Sequence, residues 1–340
     1  MAYTDVDKSS LHFNTKLYTG NNSSNSITGV GFQPDMTWIK NRTSANSHML
    51  FDAIRGATYR LSTDTNETSA AYSNSLTSFD SDGFTLNNFG DVNANSDNFV
   101  AWNFKANGQG SSNADGSITT TYTSANTTSG FSMVKFTATG SAATVGHGLG
   151  VAPAFILAKR TSSTADWQVY HKSLGATKYL EFSQSQAVGT ATNRWNDTEP
   201  TSSVFSIGNE WNNGSELMAY CFAEKRGFSK FLKYQANGQS TNMFLNCGFK
   251  PALVIIKKES GADNWIMFDN KRDTDNVVGQ YLFPNEANAE ASGTYMDFVS
   301  NGINIRTSDG WVNNASHTYV MLAFAEAPLV GTNNVPATAR

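Results

Sequence analysis

The chain has 340 residues, a net charge of −4, 39% hydrophobic but only 15% charged residues, and 22 Phe, 12 Tyr and 7 Trp. Disordered chains have few aromatics and a high net charge, and nucleic-acid binders have a basic balance, so both classes are excluded. What remains is an aromatic-rich β protein whose surface is built from Ser, Thr, Asn and Gly.

Residues 1–8 lack a basic region followed by an apolar one, so no secretory signal is expected. The longest apolar runs, such as 151–158 and 319–325, reach about eight residues. That suits buried strands and falls far short of the roughly 20 residues that span a bilayer. An aromatic before a polar glycine turn, Tyr18-Thr-Gly20, opens the first unit. The loop Gly31-Phe-Gln-Pro34 then feeds the apolar strand Met36-Thr-Trp-Ile-Lys40. Proline suits the loop because its φ is fixed and it has no ladder donor. Next come His48-Met-Leu-Phe-Asp52 and Leu61, then Ala/Glu-containing residues 65–74, which read as a turn or two of helix. Asp80-Ser-Asp-Gly83 reads as a hairpin turn. Its two carboxylates resemble the start of a calcium loop, but the other ligands of an EF-hand are missing. Val100-Ala-Trp-Asn-Phe-Lys-Ala106 closes the unit.

Residues 107–129 contain no Lys or Arg. Their first half reads as a flexible connector and 118–122 as a strand. The pattern then recurs twice. Gly150-Val-Ala-Pro153 and Gly248-Phe-Lys-Pro251 each lead to a Lys six residues after the Pro, Lys159 and Lys257, as Pro34 leads to Lys40. Seventeen residues after each Pro stands an aromatic, Phe51, Tyr170 or Phe268, followed by Asp52, His171 or Asp269. Leu61, Leu180 and Leu282 follow, and each copy closes on an apolar strand ending near Phe104, Phe222 or Phe324. Residues 285–292 read, like 65–74, as a short helical piece. A copy of roughly 100 residues is too long for a solenoid unit and has the size of a sandwich domain.

The expected fold is all-β: three tandem antiparallel β-sandwiches, jelly-roll or concanavalin-like. Their bounds are 1–106 with a short N-terminal arm, the connector 107–129, then 130–226, 227–328 and a C-terminal tail 329–340. Copies two and three have no spacer, which predicts that they pack together while copy one stands apart.

The chemistry-bearing residues form no catalytic constellation. The position held by Asp52, His171 and Asp269 changes type between copies and has no recurrent partner, so structural hydrogen bonding is expected there. His147 has no metal-ligand neighbour at suitable spacing. Cys221 sits in an apolar run and reads as a core thiol; Cys247 precedes a turn, and no disulfide framework is visible. No cofactor and no metal are expected. The best surface candidates are loop residues that could stack on a sugar ring and bond its hydroxyls: Trp195, Trp211, Asn212, Asn213, Trp311, Asn313 and Asn314. For Trp211 and Trp311, packing against a neighbouring domain or subunit is the competing reading.

The segments GFQPDMTWIKNRTSANSHMLFDAIRG, SFDSDGFTL and WQVYHKSLGATKYL, and the stretch from Asp115 to Arg160, resemble a tandem domain of unknown function in virion proteins of marine bacteriophages. The resemblance extends over about residues 1–328. It implies a β-sandwich, lectin-like or laminin-G-like particle component, with no catalytic residues to carry over. The expectation is therefore a virion structural protein made in the host cytoplasm, a tail fibre, appendage or head-attached fibre with a role in host-surface contact. Its expected partners are other virion proteins, further copies of itself as a trimer, and a host glycan. The alternatives are a capsid decoration protein and a glycan-binding receptor module. A polysaccharide depolymerase would need paired carboxylates, and no recurrent acidic pair is present.

Overall fold

A computed structural model describes residues 4–241, 243–331 and 336. Most of the expected tail 329–340 lies outside the described residues, as do residues 1–3 of the N-terminal arm. The chain is an all-β protein of antiparallel sheets arranged as sandwiches.

Each of the three segments builds one large sheet with the same core order. In the first, the opening strand Phe13–Thr19 pairs with the closing strand Asn98–Phe104, and the closing strand pairs with the lysine-bearing strand Met36–Asn41. Met49–Asp52, Tyr59–Ser62 and Ala70–Ala71 continue the sheet. The second lobe repeats this with Phe131–Thr137, Glu216–Phe222, Phe155–Arg160, Gln168–His171, Lys178–Glu181 and Gly189–Thr190. The third repeats it with Ser229–Gln235, Thr318–Pro328, Phe249–Lys258 and Ile266–Asp269. A small sheet covers one face of each. Its constant part is a strand after the opening strand paired with one near the end of the lobe: Asn25–Thr28 with Gly83–Leu86, Ala143–Gly146 with Val204–Ile207, and Met243–Asn246 with Gly302–Ile305.

Side chains alternate between two cores, as the pleat requires. Ile39, Met49, Phe51, Phe99 and Ala101 face the small sheet of the first lobe. Trp38, Leu50, Val100, Trp102 and Phe104 face the other way and join a core shared with both other lobes. The ring centroids of Phe104, Phe222 and Phe324, one from each closing strand, are 5.7, 5.2 and 5.5 Å apart. This near-equilateral triangle marks a local three-fold axis. The large sheets are thus buried on both faces, which explains continuous apolar runs such as 252–256. A void of about 40 Å³ remains on the axis, and its wall is wholly apolar.

Copy one is therefore not set apart; it packs against both others. Sequence order suggested separation because a spacer precedes copy two, but the apolar axial face of the first sheet must be covered. The spacer is not a loose tether either. Asp35 accepts hydrogen bonds from the amides of Ala106 and Gly108, at 2.7 and 3.1 Å, and Ile118 enters the second lobe's core. The strand in this region is Tyr122–Asn126, an added edge on the second large sheet, rather than 118–122. Residues 65–74 and 285–292 are not helical; each contributes strand residues instead. Among the described residues the helical turns are Gly90–Asn93 and Thr192–Trp195, with a 3-10 turn at Ser9–Leu11. Cys221 and Cys247 are both buried and free.

Candidate functional site

The polar and charged residues singled out by the repeat register converge where the lobes meet. Lys40, Lys159 and Lys257 are each the last residue but one of their strands and are fully buried. Each donates to a backbone carbonyl of a neighbouring lobe: Lys40 Nζ to Ala287 at 3.0 Å, Lys159 Nζ to Asn66 at 3.1 Å and Lys257 Nζ to Ser185 at 3.3 Å. The direction is cyclic, first lobe to third, third to second and second to first. Backbone bonds cross the same three junctions with the donors running the opposite way round: Ser69 N to Thr161 O, Val188 N to Glu259 O and Glu290 N to Arg42 O. A cyclic, head-to-tail set of contacts that closes is a ring. Burial lowers the pKa of all three lysines to about 8, partly offset by carboxylates nearby.

The aromatic-adjacent position explains itself in this geometry. Asp52 accepts from Tyr220 Oη of the second lobe at 2.7 Å, and Asp269 accepts from Trp102 Nε1 of the first at 3.2 Å. Each aspartate is also paired with the arginine three residues on, Arg55 at 2.6 Å and Arg272 at 2.5 Å, in buried surroundings. In the second lobe the corresponding pair is His171 and Leu174. The residue in register with Tyr220 and Trp102 on the third closing strand is Leu322, which has no proton to donate. An aspartate there would be an unpaired buried charge. The neutral imidazole packs edge-on to Phe155 and Phe231 instead. Burial, the largest cause, lowers the His171 pKa to about 4.

A second ring position behaves alike. Trp167 Nε1 donates to Ser62 O at 2.7 Å and Trp265 Nε1 to Glu181 O at 3.0 Å. His48 takes this place at the junction of the first and third lobes, with the Phe283 carbonyl beside its ring but no partner at full hydrogen-bonding geometry. These groups hold the lobes together. They have no open face on which a substrate could lie.

The proposed sugar-stacking residues fare differently from expectation. Trp195 and Trp211 are 2% and 1% exposed, so neither presents a ring to solvent. Trp195 packs edge-on to Tyr170, and Trp211 Nε1 donates to Arg194 O. Asn313 is fully buried; its amide accepts from Asn237 N and donates to Gln239 O and Thr307 O. Asn93 makes the same set in the first lobe, with Asn21 N, Ser23 O and Asn87 O. Trp311 is half-buried against Tyr281, Phe283 and Tyr295. Only Asn212, Asn213 and Asn314 are exposed. The register carries the signal: Asn93 and Asn313 lie seven residues before Val100 and Val320, and Trp211 lies seven before Met218. Trp211 thus occupies a core asparagine's place.

His147 is buried, accepts from Leu149 N through Nδ1 and donates to Thr201 O through Nε2, a structural tautomer. Asp82 accepts from Gly29 N and Gly31 N, and Asp80 from Ser78 and Thr85 hydroxyls. Asp80 is thereby engaged within its own hairpin, and Asp82 holds the loop that follows the strand Asn25–Thr28. Among the described residues, no three His, Cys, Asp or Glu side chains converge as a metal centre requires.

The domain of unknown function DUF7483 matches residues 8–328. The chain belongs to this family. The match runs through all three lobes, so the whole ring, rather than one sandwich, corresponds to the family's domain. No curated protein matches the chain.

Proposed function

We propose that this DUF7483 chain is a non-enzymatic structural protein of a bacteriophage particle, a tail fibre or appendage component or a head-attached fibre. The observation that carries the reading is where the buried polar groups go. The three lysines and both Asp–Arg pairs bind one lobe to the next. An enzyme holds such groups around a cleft; a building block uses them to lock its parts. The resemblance of the repeat motifs to marine phage virion proteins supplies the particle. Other virion proteins are the partners in this reading, with self-association as a trimer and contact with a host-surface glycan. Capsid decoration is the alternative placement. Mass spectrometry of purified particles, followed by localisation in a particle reconstruction, tests it. Density on the tail or an appendage is the expected result, density over capsid subunits selects decoration, and absence from particles overturns the reading.

A further inference from the structure

The three lobes differ at one place on their surface. In the first and third lobes, the buried Asn93 and Asn313 tie the loop after the opening strand to the segment after the small-sheet strand near the lobe's end. In the second lobe Trp211 holds that position and turns into the core, so the side-chain amide tie is missing there and backbone bonds between Ala138 and residues 214 and 215 remain. An open cleft of about 390 Å³ lies there, between residues 140–142 on one side and Gly208 and Asn209 on the other. The turn Thr192–Trp195 and the following Asn196 and Asp197 form its third wall.

That wall is rigid. Trp195 anchors it in the core. Arg194 pairs with Glu181 and Glu210 and lies over the Tyr179 ring. Gly208 packs so closely that a Cβ there would sit 2.2 Å from Asn193 O. Asn196 and Asp197 both have left-handed backbones, φ 51° and 45°, a conformation that Asn and Asp tolerate better than most residues. The side chains of Ser141, Thr192, Asn196, Asp197 and Asn209 make no hydrogen bond to the described chain, in contrast to the tied loops of the other lobes.

We infer that this cleft of the second lobe is a carbohydrate-binding site, which rests on the host-glycan part of the proposed function and gives that contact its place on the molecule. The lining offers neutral amides and hydroxyls, each both donor and acceptor, as a sugar's hydroxyls are. No cation lines it, which disfavours a phosphate or sulfate. Its single carboxylate, Asp197, is too little for a calcium site. Its volume falls in the usual range for small ligands, roughly 300–1,000 Å³. The buried tryptophans then support the site from below instead of stacking on the sugar.

Saturation-transfer NMR of the full chain with galactose, mannose, glucose and N-acetylglucosamine, together with a glycan array, tests this. Binding to at least one probe is expected, with a Kd of about 1 mM for a single sugar. Asn196→Gly and Asp197→Gly remove the side chains but keep the left-handed backbone accessible; each should weaken binding about tenfold or more. Thr128→Ala, exposed in a turn away from the cleft, should leave it unchanged. Absence of binding to every probe, or binding that survives both glycine variants, overturns the inference. A particle component that binds no sugar removes the cleft and leaves the virion reading standing; a sugar binder absent from particles does the reverse.

Discussion

Asp52 and Arg55 are buried together, and both depend on Tyr220 of the next lobe to complete their set. Asp52→Leu strands the Arg55 charge and the Tyr220 hydroxyl, so a loss of about 3–5 kcal/mol is expected in denaturant unfolding. The triple change Asp52→His, Arg55→Leu, Tyr220→Leu copies His171, Leu174 and Leu322, and it should recover most of that loss. The buried histidines set the acid response. His171 has a folded pKa of about 4 against an ordinary 6.5, and burial also holds His48 well below its ordinary value. The unfolded chain therefore binds more protons between these values. Their contribution is fully present above about pH 6.5 and is lost as pH falls toward 4. Calorimetry across that range should show a shallower decline in Tm for His171→Leu than for the natural chain. The lysines act at the other end. Their folded pKa is about 8 against 10.5, so their contribution is constant below pH 8 and increases stability from pH 8 to 10.5. Proton uptake on unfolding near pH 9 checks this; Lys159→Met should reduce it by up to one proton.

At the level of elements, the repeat register made most strands legible. Pro-to-Lys and Pro-to-aromatic spacing located the lysine and aromatic strands in all three lobes. Asp82-Gly83 and Asn301-Gly302 do sit at the hairpins expected of them, but close packing also constrains these glycines. A Cβ on Gly83 would lie 1.8 Å from Ile27 O, and one on Gly302 2.1 Å from Leu245 O. Gly83→Ala should therefore separate the small sheet of the first lobe and lower stability by more than about 1 kcal/mol, read by amide exchange in Asn25–Thr28. Whether a loop tryptophan stacks outward or packs inward is left open by its neighbours in the chain, for a physical reason. Asn and Gly beside Trp211 signal a turn, and local composition does not reveal that the ring points inward. The fixed seven-residue offset from the closing strand does reveal it, because it aligns Trp211 with Asn93 and Asn313. The cleft was not legible at all, since its walls come from segments near 141, 196 and 209 joined only by folding.

For the whole molecule, three copies in sequence were readable, but their closure into a ring was not. Contacts such as Trp102 with Asp269 and Lys40 with Ala287 join residues far apart in the chain, and no local pattern encodes them. The N-terminal arm adds to the closure, because Thr4 and Asp5 bond to Arg226 between the second and third lobes. The apolar axial core, with Phe104, Phe222 and Phe324 at its centre, gives no lobe a complete surface of its own. Phe222→Ala removes one corner of the triangle and should cost about 3–5 kcal/mol, destabilising all three lobes together rather than the second alone. The low charge of the chain fits this plan, since each large sheet is covered on both faces and even its repeat-register lysine is buried. Differential scanning calorimetry of the intact chain tests the ring most directly. The ring predicts one transition, with calorimetric and van't Hoff enthalpies equal; two or three separately resolved transitions would contradict it.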